Sequence, residues 1–292
     1  MKLGCYMIVK NEEECLGACL ASLVGLDEII ILDTGSTDKT EEVASKYPCT
    51  YIKNVYRWKD DFADARNASL KWATADWLIV IDADEILKGD IDKIRDTINN
   101  NPKFNSYKVP TISIRTGQEH PSVRLHKRDD DIKWHAPAHN YLSVRGDAPI
   151  ACMEVHYGYS PAHAKDPDRT LRILTKCVKD NPECIREKYY LAREYYDRKD
   201  HRVAITYWEW YLETSKKGPE IADAWLYLAR CYAYIKNSNK AKDCCLQAIK
   251  MNGNFREAWR FLASLSGPGN MKRFNEIADT SSNEGLLFIR GK

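Results

Sequence analysis

The stretch Trp77-Leu-Ile-Val-Ile81-Asp82-Ala-Asp84-Glu85 decides the fold. Five apolar residues in a row, rich in β-branched side chains, are too short for a buried helix and read as a strand covered on both faces. The run then breaks into carboxylates. Asp82 and Asp84 stand at i and i+2 just past the strand, where hard oxygen ligands suit Mg²⁺ or Mn²⁺ holding a diphosphate. A solvated acidic turn is spelled with the same letters, so the surrounding sequence has to choose between the two.

Upstream, Leu3–Val9 reads as another buried strand, and Asn11 with Glu14 as a capped helix start ahead of Cys15, Leu16, Cys19, Leu20 and Leu23 on one face. Glu28–Leu32 predicts a second strand, Asp33-Thr-Gly-Ser-Thr37 a turn, and helices follow from about Asp38 and over 61–73. Strand–helix alternation of this kind defines an α/β domain with a parallel, Rossmann-like sheet, which binds ligands at the carboxyl ends of its strands. Polar groups cluster at three such ends: Asn11-Glu12, Asp33, and Asp82 with Asp84. An Asp at a strand tip can accept from a ribose hydroxyl or a base N–H. The turn at Gly35 lacks the Lys-Ser/Thr of a phosphate loop, and no GxGxxG occurs.

Downstream, Tyr107–Ile114, Ser122–His126, Tyr141–Val144 and Glu154–Tyr159 read as strands that extend the sheet in a mixed fashion. Beyond about residue 165 the pattern is helical and repetitive. Tyr190-Leu-Ala-Arg, Tyr227-Leu-Ala-Arg and Phe261-Leu-Ala-Ser place Leu191, Leu228 and Leu262 at spacings of 37 and 34, with Ala204 and Ala241 also 37 apart. Two domains follow, an α/β domain over 1–160 and an all-α repeat domain over 161–292. The many aromatic residues of the repeats predict packing between helices in preference to a ligand site.

Net charge divides along the same border. Residues 1–160 carry 20 Lys+Arg against 25 Asp+Glu and the remainder 24 against 17, so the total of +2 excludes a uniformly basic nucleic-acid coat. A basic face on the repeats would steer an acidic acceptor, and scattered charges on solvated helix faces give the same sum. Ten cysteines without a Cys-x-x-Cys pair predict buried thiols in a reducing, cytoplasmic setting. No apolar run approaches the ~20 residues of a membrane span, and the start of the chain lacks the features of a signal peptide.

Four blocks in order, Met7-Ile-Val-Lys-Asn-Glu-Glu13, Ile30-Ile-Leu-Asp33-Thr-Gly-Ser-Thr-Asp38, Phe62-Ala-Asp-Ala-Arg66-Asn67 and Val80-Ile-Asp82-Ala-Asp84-Glu85, resemble the nucleotide-sugar half of family 2 glycosyltransferases. The later Arg124-Leu-His, Lys133-Trp134, His139-Asn140 and Val155-His156-Tyr-Gly-Tyr159, followed by tetratricopeptide-like repeats, resemble a bacterial or phage branch of that family. The resemblance implies a GT-A fold, a nucleoside-diphosphate sugar donor, usually uridine-linked, a Mn²⁺ or Mg²⁺ ion, and inversion at the anomeric carbon. By position it implies that Val9, Lys10, Asn11 and Glu12 line the nucleotide pocket and that Asp33 meets the base. Arg66 would lie near the base or diphosphate, Asp82 near ribose and metal, and Asp84 on the metal.

An inverting transfer needs a base. Related chains often carry His-Glu where this one has His139-Asn140, and an amide cannot take a proton, so His139, Glu119, Glu154 or an acidic residue elsewhere must serve, or the chemistry differs. His156 is a candidate third metal ligand, with a plain hydrogen-bonding role as its alternative. The acceptor expected is a protein or peptide held by the repeats, a surface-glycan precursor, or a modified nucleobase; helical tails of this type also pair, which allows a homodimer. Two other readings compete. Asp33-Thr-Gly-Ser-Thr resembles the first phosphate loop of actin-like sugar kinases, but here it opens a helix where that loop joins a hairpin. The second is a degenerate transferase domain serving as a repeat-based scaffold, which Asn140 favours.

Overall fold

A computed structural model describes residues 1–144, 149–158, 166–215, 218 and 220–281. The predicted border at 160 and Tyr159 lie outside these residues. Contacts group the chain into two compact units, Met1–Arg169 and Thr170–Lys292.

The first unit is built on strands β1 (Leu3–Val9), β2 (Glu28–Asp33), β3 (Thr50–Ile52), β4 (Trp77–Val80), β5 (Ile86–Lys88), β6 (Ser106–Ser113), β7 (Glu119–Lys127) and β10 (Glu154–Tyr157), in the order β3-β2-β1-β4-β7-β6-β10-β5. A separate two-stranded ribbon pairs β8 (Trp134–His135) with β9 (Tyr141–Leu142). Strands β3, β2, β1 and β4 are mutually parallel, whereas β7 runs antiparallel to both β4 and β6. The chain winds outward from β1 through β2 to β3 and then returns to the other side of β1 as β4. That reversal opens a crevice at the carboxyl ends of β1, β2 and β4.

Strict alternation along β1 and β4 sorts the two cores. Cys5, Met7, Val9, Ile79 and Ile81 pack with Leu16 and Leu20 of helix α1 (Leu16–Ser22) and Ile94 and Ile98 of α4 (Ile91–Asn100). Tyr6, Leu78 and Val80 face the opposite layer, with Ala63 of α3 (Phe62–Leu70) and Trp134. This two-faced burial is why both strands are apolar throughout. Gly4 is dictated by crowding, because a Cβ there would stand 2.8 Å from that of Ala75. A short helix α2 (Thr40–Ala44) follows the β2 turn.

Asn11 does not cap α1. The helix starts only at Leu16, and Asn11 sits at φ +57 with Oδ1 accepting from the Thr37 backbone N–H at 2.7 Å. The local capping signal loses to a tertiary contact between two loops, since the same side-chain oxygen can satisfy either backbone.

From its first residue onward the second unit is helical: α5 (Arg169–Asp180), which begins on the last residue of the first unit, then α6 (Ile185–Asp197), α7 (His201–Thr214), α8 (Glu220–Tyr234), α9 (Ser238–Met251), α10 (Arg256–Ser264) and α11 (Pro268–Thr280) among the described residues. Leu191, Leu228 and Leu262 are buried at equivalent places in α6, α8 and α10, and Ala204 and Ala241 are fully buried in α7 and α9. The repeat read from spacing is therefore a repeat in space. Its aromatic residues pack against one another: Trp208 stacks on Tyr227 at 5.3 Å, and Tyr189 meets Trp208 edge-on at 5.2 Å.

Candidate active site

Three strand ends and one helix form the crevice. At the end of β2, Asp33 Oδ1 accepts from the Gly35 and Ser36 backbone N–H groups at 2.9 and 2.8 Å, and Oδ2 accepts from the Tyr51 hydroxyl at 2.8 Å. Gly35 takes φ +116, which a Cβ would oppose. The loop after β1 is laced to this turn: Ser36 Oγ accepts from the Asn11 N–H, and Thr40 Oγ1 from that of Glu12. Val9 is buried, Lys10 exposed, and Asn11 and Glu12 half-buried. The nucleotide-side residues named from the sequence thus converge on one rim.

Arg66 enters from α3, whose start is capped by Asp61 Oδ1 on the Asp64 N–H at 2.9 Å. The side chain is buried, 8% exposed, yet only Nη2 has an acceptor, Asp82 Oδ1 at 2.6 Å. Nε and Nη1 find none among the described residues. Buried donors left unsatisfied cost about 1–3 kcal/mol each, and here they belong to a cation at the mouth of a ligand crevice.

Beyond β4, the Asp82–Glu85 segment turns back on itself, with Glu85 Oε2 accepting from the Asp82 N–H at 2.8 Å. Arg124 grips both oxygens of Glu85 at 2.9 Å and reaches within 3.9 Å of Asp82 Oδ2. A β-bulge aims it: Tyr107 pairs with Leu125 and Lys108 with Val123, so Arg124 is the extra residue on β7. Burial pushes the Glu85 carboxyl up to about 7 against the pull of Arg124. Burial also works against the Arg124 charge, but Glu85 and Asp82 outweigh it and hold the guanidinium protonated.

The carboxylates of this segment are therefore not equivalent. Glu85 is consumed by Arg124, Asp82 lies between two arginines, and Asp84 is half-buried at the turn. No group of three or more His, Cys, Asp or Glu able to hold a metal occurs among the described residues. A hard divalent ion can be held by only one or two protein carboxylates when phosphate oxygens and water complete its shell. His156 lies on β10, paired with Ile86 of β5, and its Nε2 is 3.1 Å from Glu154 Oε2. Glu119 is exposed at the start of β7, and His139 is exposed in the β8–β9 connection at φ +49.

Sequence reasoning gave no role to Glu85, Arg124, Trp134, Tyr6 or His126. Arg124 and Trp134 stood inside blocks that it quoted, but a bulge and a cross-sheet contact have no local signature. Separately, a cavity of about 300 Å³ borders the face of α3 that carries Asp64, Asn67 and Ala68, with Tyr56, Lys59 and Lys71 on its wall.

Residues 5–147 match the model of Glycosyl transferase family 2. The match falls within the first unit, which holds the mixed sheet and its strand-end crevice. Over 196 residues the chain is 36% identical to a TPR repeat-containing protein of Synechococcus elongatus, covering 61% of this chain and 48% of that protein. It is 29% identical to the SPbeta prophage-derived glycosyltransferase SunS of Bacillus subtilis, over 74% of this chain and 54% of SunS. It is 34% identical to the lipopolysaccharide core biosynthesis glycosyltransferase LpsC of Rhizobium meliloti, over 60% and 52% respectively. The chain spans about half the length of these curated relatives. No described helix is long and apolar enough to cross a membrane.

Proposed function

We propose that the chain is a metal-dependent inverting glycosyltransferase that moves a sugar from a nucleoside-diphosphate donor, uridine-linked, to an acceptor. The observation that carries this reading is Arg66: a buried guanidinium with two unsatisfied nitrogens, fixed beside Asp82 at the carboxyl ends of β1, β2 and β4. A diphosphate supplies the acceptors that those nitrogens lack. The Asp33 turn and the Asn11 loop form the base and ribose end of the crevice.

In the reaction the bond from the anomeric carbon to the diphosphate oxygen breaks as the acceptor attacks from the opposite face. Negative charge then grows on the departing diphosphate, where the buried Arg66 guanidinium stabilises it. A divalent ion on Asp84, shared with Asp82, would supply further charge neutralisation there. The acceptor's proton passes to a base, for which His139, Glu119 and Glu154 are the candidates. His156 retains its proposed place as a further ligand. The acceptor classes are a protein or peptide held by the repeats, a surface-glycan precursor and a modified nucleobase.

The test is a panel of nucleotide sugars incubated with the protein and Mn²⁺, reading free nucleoside diphosphate. Wild-type protein should release it from at least one uridine-linked donor, chelation should stop the release, and Asp84→Ala should abolish it with the fold intact. Release from no donor contradicts the transferase reading. Undiminished release by Asp84→Ala contradicts the metal role.

A further inference from the structure

Arg66 is held in place from a side that the ion pair with Asp82 does not reach. Its guanidinium lies over the Trp134 ring, 4.9 Å from the centroid. That ring is itself fixed at both ends. The Trp134 backbone N–H donates to Asn67 Oδ1 at 2.8 Å, and its carbonyl accepts from Asn67 Nδ2 at 2.9 Å, so the residue following Arg66 clamps the indole over Arg66. At the far edge, Trp134 Nε1 donates to the Tyr6 hydroxyl at 2.8 Å.

The hydroxyl must pass its own proton on. His126 Nδ1 lies 2.9 Å from the Lys127 carbonyl, which requires a proton on Nδ1 and leaves Nε2 as an acceptor for Tyr6 at 3.1 Å. Tyr6 and His126 are fully buried and meet edge-to-face at 5.8 Å. Every donor in this chain has an acceptor, which makes it a rigid support. Its members come from four elements, β1, β7, β8 and α3.

We propose that Trp134 is a positioning residue for the donor site, holding the Arg66 guanidinium in the orientation that presents Nε and Nη1 to an anionic ligand, with Asn67, Tyr6 and His126 as its fixed mount. The inference rests on the transferase reading for the identity of that ligand, a diphosphate, but not for the support itself. A desolvated cation–π contact stabilises the guanidinium without using its N–H groups, so Nε and Nη1 keep their hydrogen-bonding capacity unspent. Asp82 alone grips one corner of the guanidinium and would leave the plane free to swing.

The experiment compares wild type, Trp134→Phe and Trp134→Leu, each labelled with ¹⁵N-arginine. The Arg66 Nε–H signal, assigned by its loss in Arg66→Lys, reports ring current and protection from solvent. Wild type and Trp134→Phe should show it displaced by the ring and slow to exchange, while Trp134→Leu should return it to the position and exchange rate of mobile arginines. Titration with UDP and Mn²⁺ should weaken roughly tenfold in Trp134→Leu and much less in Trp134→Phe, the loss expected of a desolvated cation–π contact. An unmoved Arg66 signal in Trp134→Leu overturns the proposal, and so does a loss of UDP affinity without a change in that signal. Failure of wild type to bind UDP would instead overturn the donor assignment, with the Arg66 signal still deciding whether Trp134 positions it.

Discussion

His126 makes the first unit acid-sensitive by an amount that can be worked out in advance. Its ring is fully buried, and burial lowers its pKa from 6.5 to about 4, because the charged form loses its water and the single Lys127 carbonyl does not replace it. In the unfolded chain the imidazole takes up its proton near 6.5, and in the folded chain only near 4. Between these values the unfolded state holds more protons, so stability falls as pH falls. The full difference of 2.5 pH units is worth about 3.4 kcal/mol, of which about 2 kcal/mol is lost between pH 7.5 and 5.

The perturbation that isolates this effect is His126→Gln, whose amide oxygen can still accept from Tyr6 but cannot charge. Native-state hydrogen exchange in β1 and β4 reads the stability of this unit without the helical one. Wild type should lose about 2 kcal/mol more than the variant between pH 7.5 and 5. Equal losses would refute the argument, since the remaining titratable groups are common to both. Because folded His126 charges only near pH 4, the Tyr6–Trp134 mount beneath Arg66 stays intact over this range, and UDP affinity should not fall through His126 until the pH nears 4.

Two further outcomes follow from single contacts. Arg124→Met strands the Glu85 carboxylate in a buried site and should destabilise the first unit by about 3–5 kcal/mol, with Arg124→Lys recovering only part of this because it cannot grip both oxygens; urea unfolding measures the series. Trp208→Ala removes a fully buried ring stacked on Tyr227 and should cost the helical unit about 3–5 kcal/mol, visible as a lowered thermal transition in that unit.

The sequence was legible where one local pattern had one structural meaning. Continuous apolar runs gave β1, β2 and β4, because a strand covered on both faces has no polar positions. The spacing of Leu191, Leu228 and Leu262 gave the repeat, because equivalent packing sites recur with the unit. The crevice followed from polar residues at strand ends. What stayed hidden depends on contacts between distant segments. Asn11 looks like a helix cap until the Thr37 N–H claims its oxygen. Arg124 looks like an ordinary strand residue until a bulge turns it onto Glu85. Trp134 acquires its place only when α3, β1 and β7 meet around it.

The most direct test of the whole account is a crystal structure of the protein with UDP and Mn²⁺. The account predicts the diphosphate within hydrogen-bonding distance of Arg66 Nε or Nη1, the metal on Asp84, and the uracil end against Asn11 and the Asp33 turn. UDP bound in the cavity beside Tyr56, Lys59 and Lys71, or a diphosphate that leaves Arg66 untouched, would contradict it.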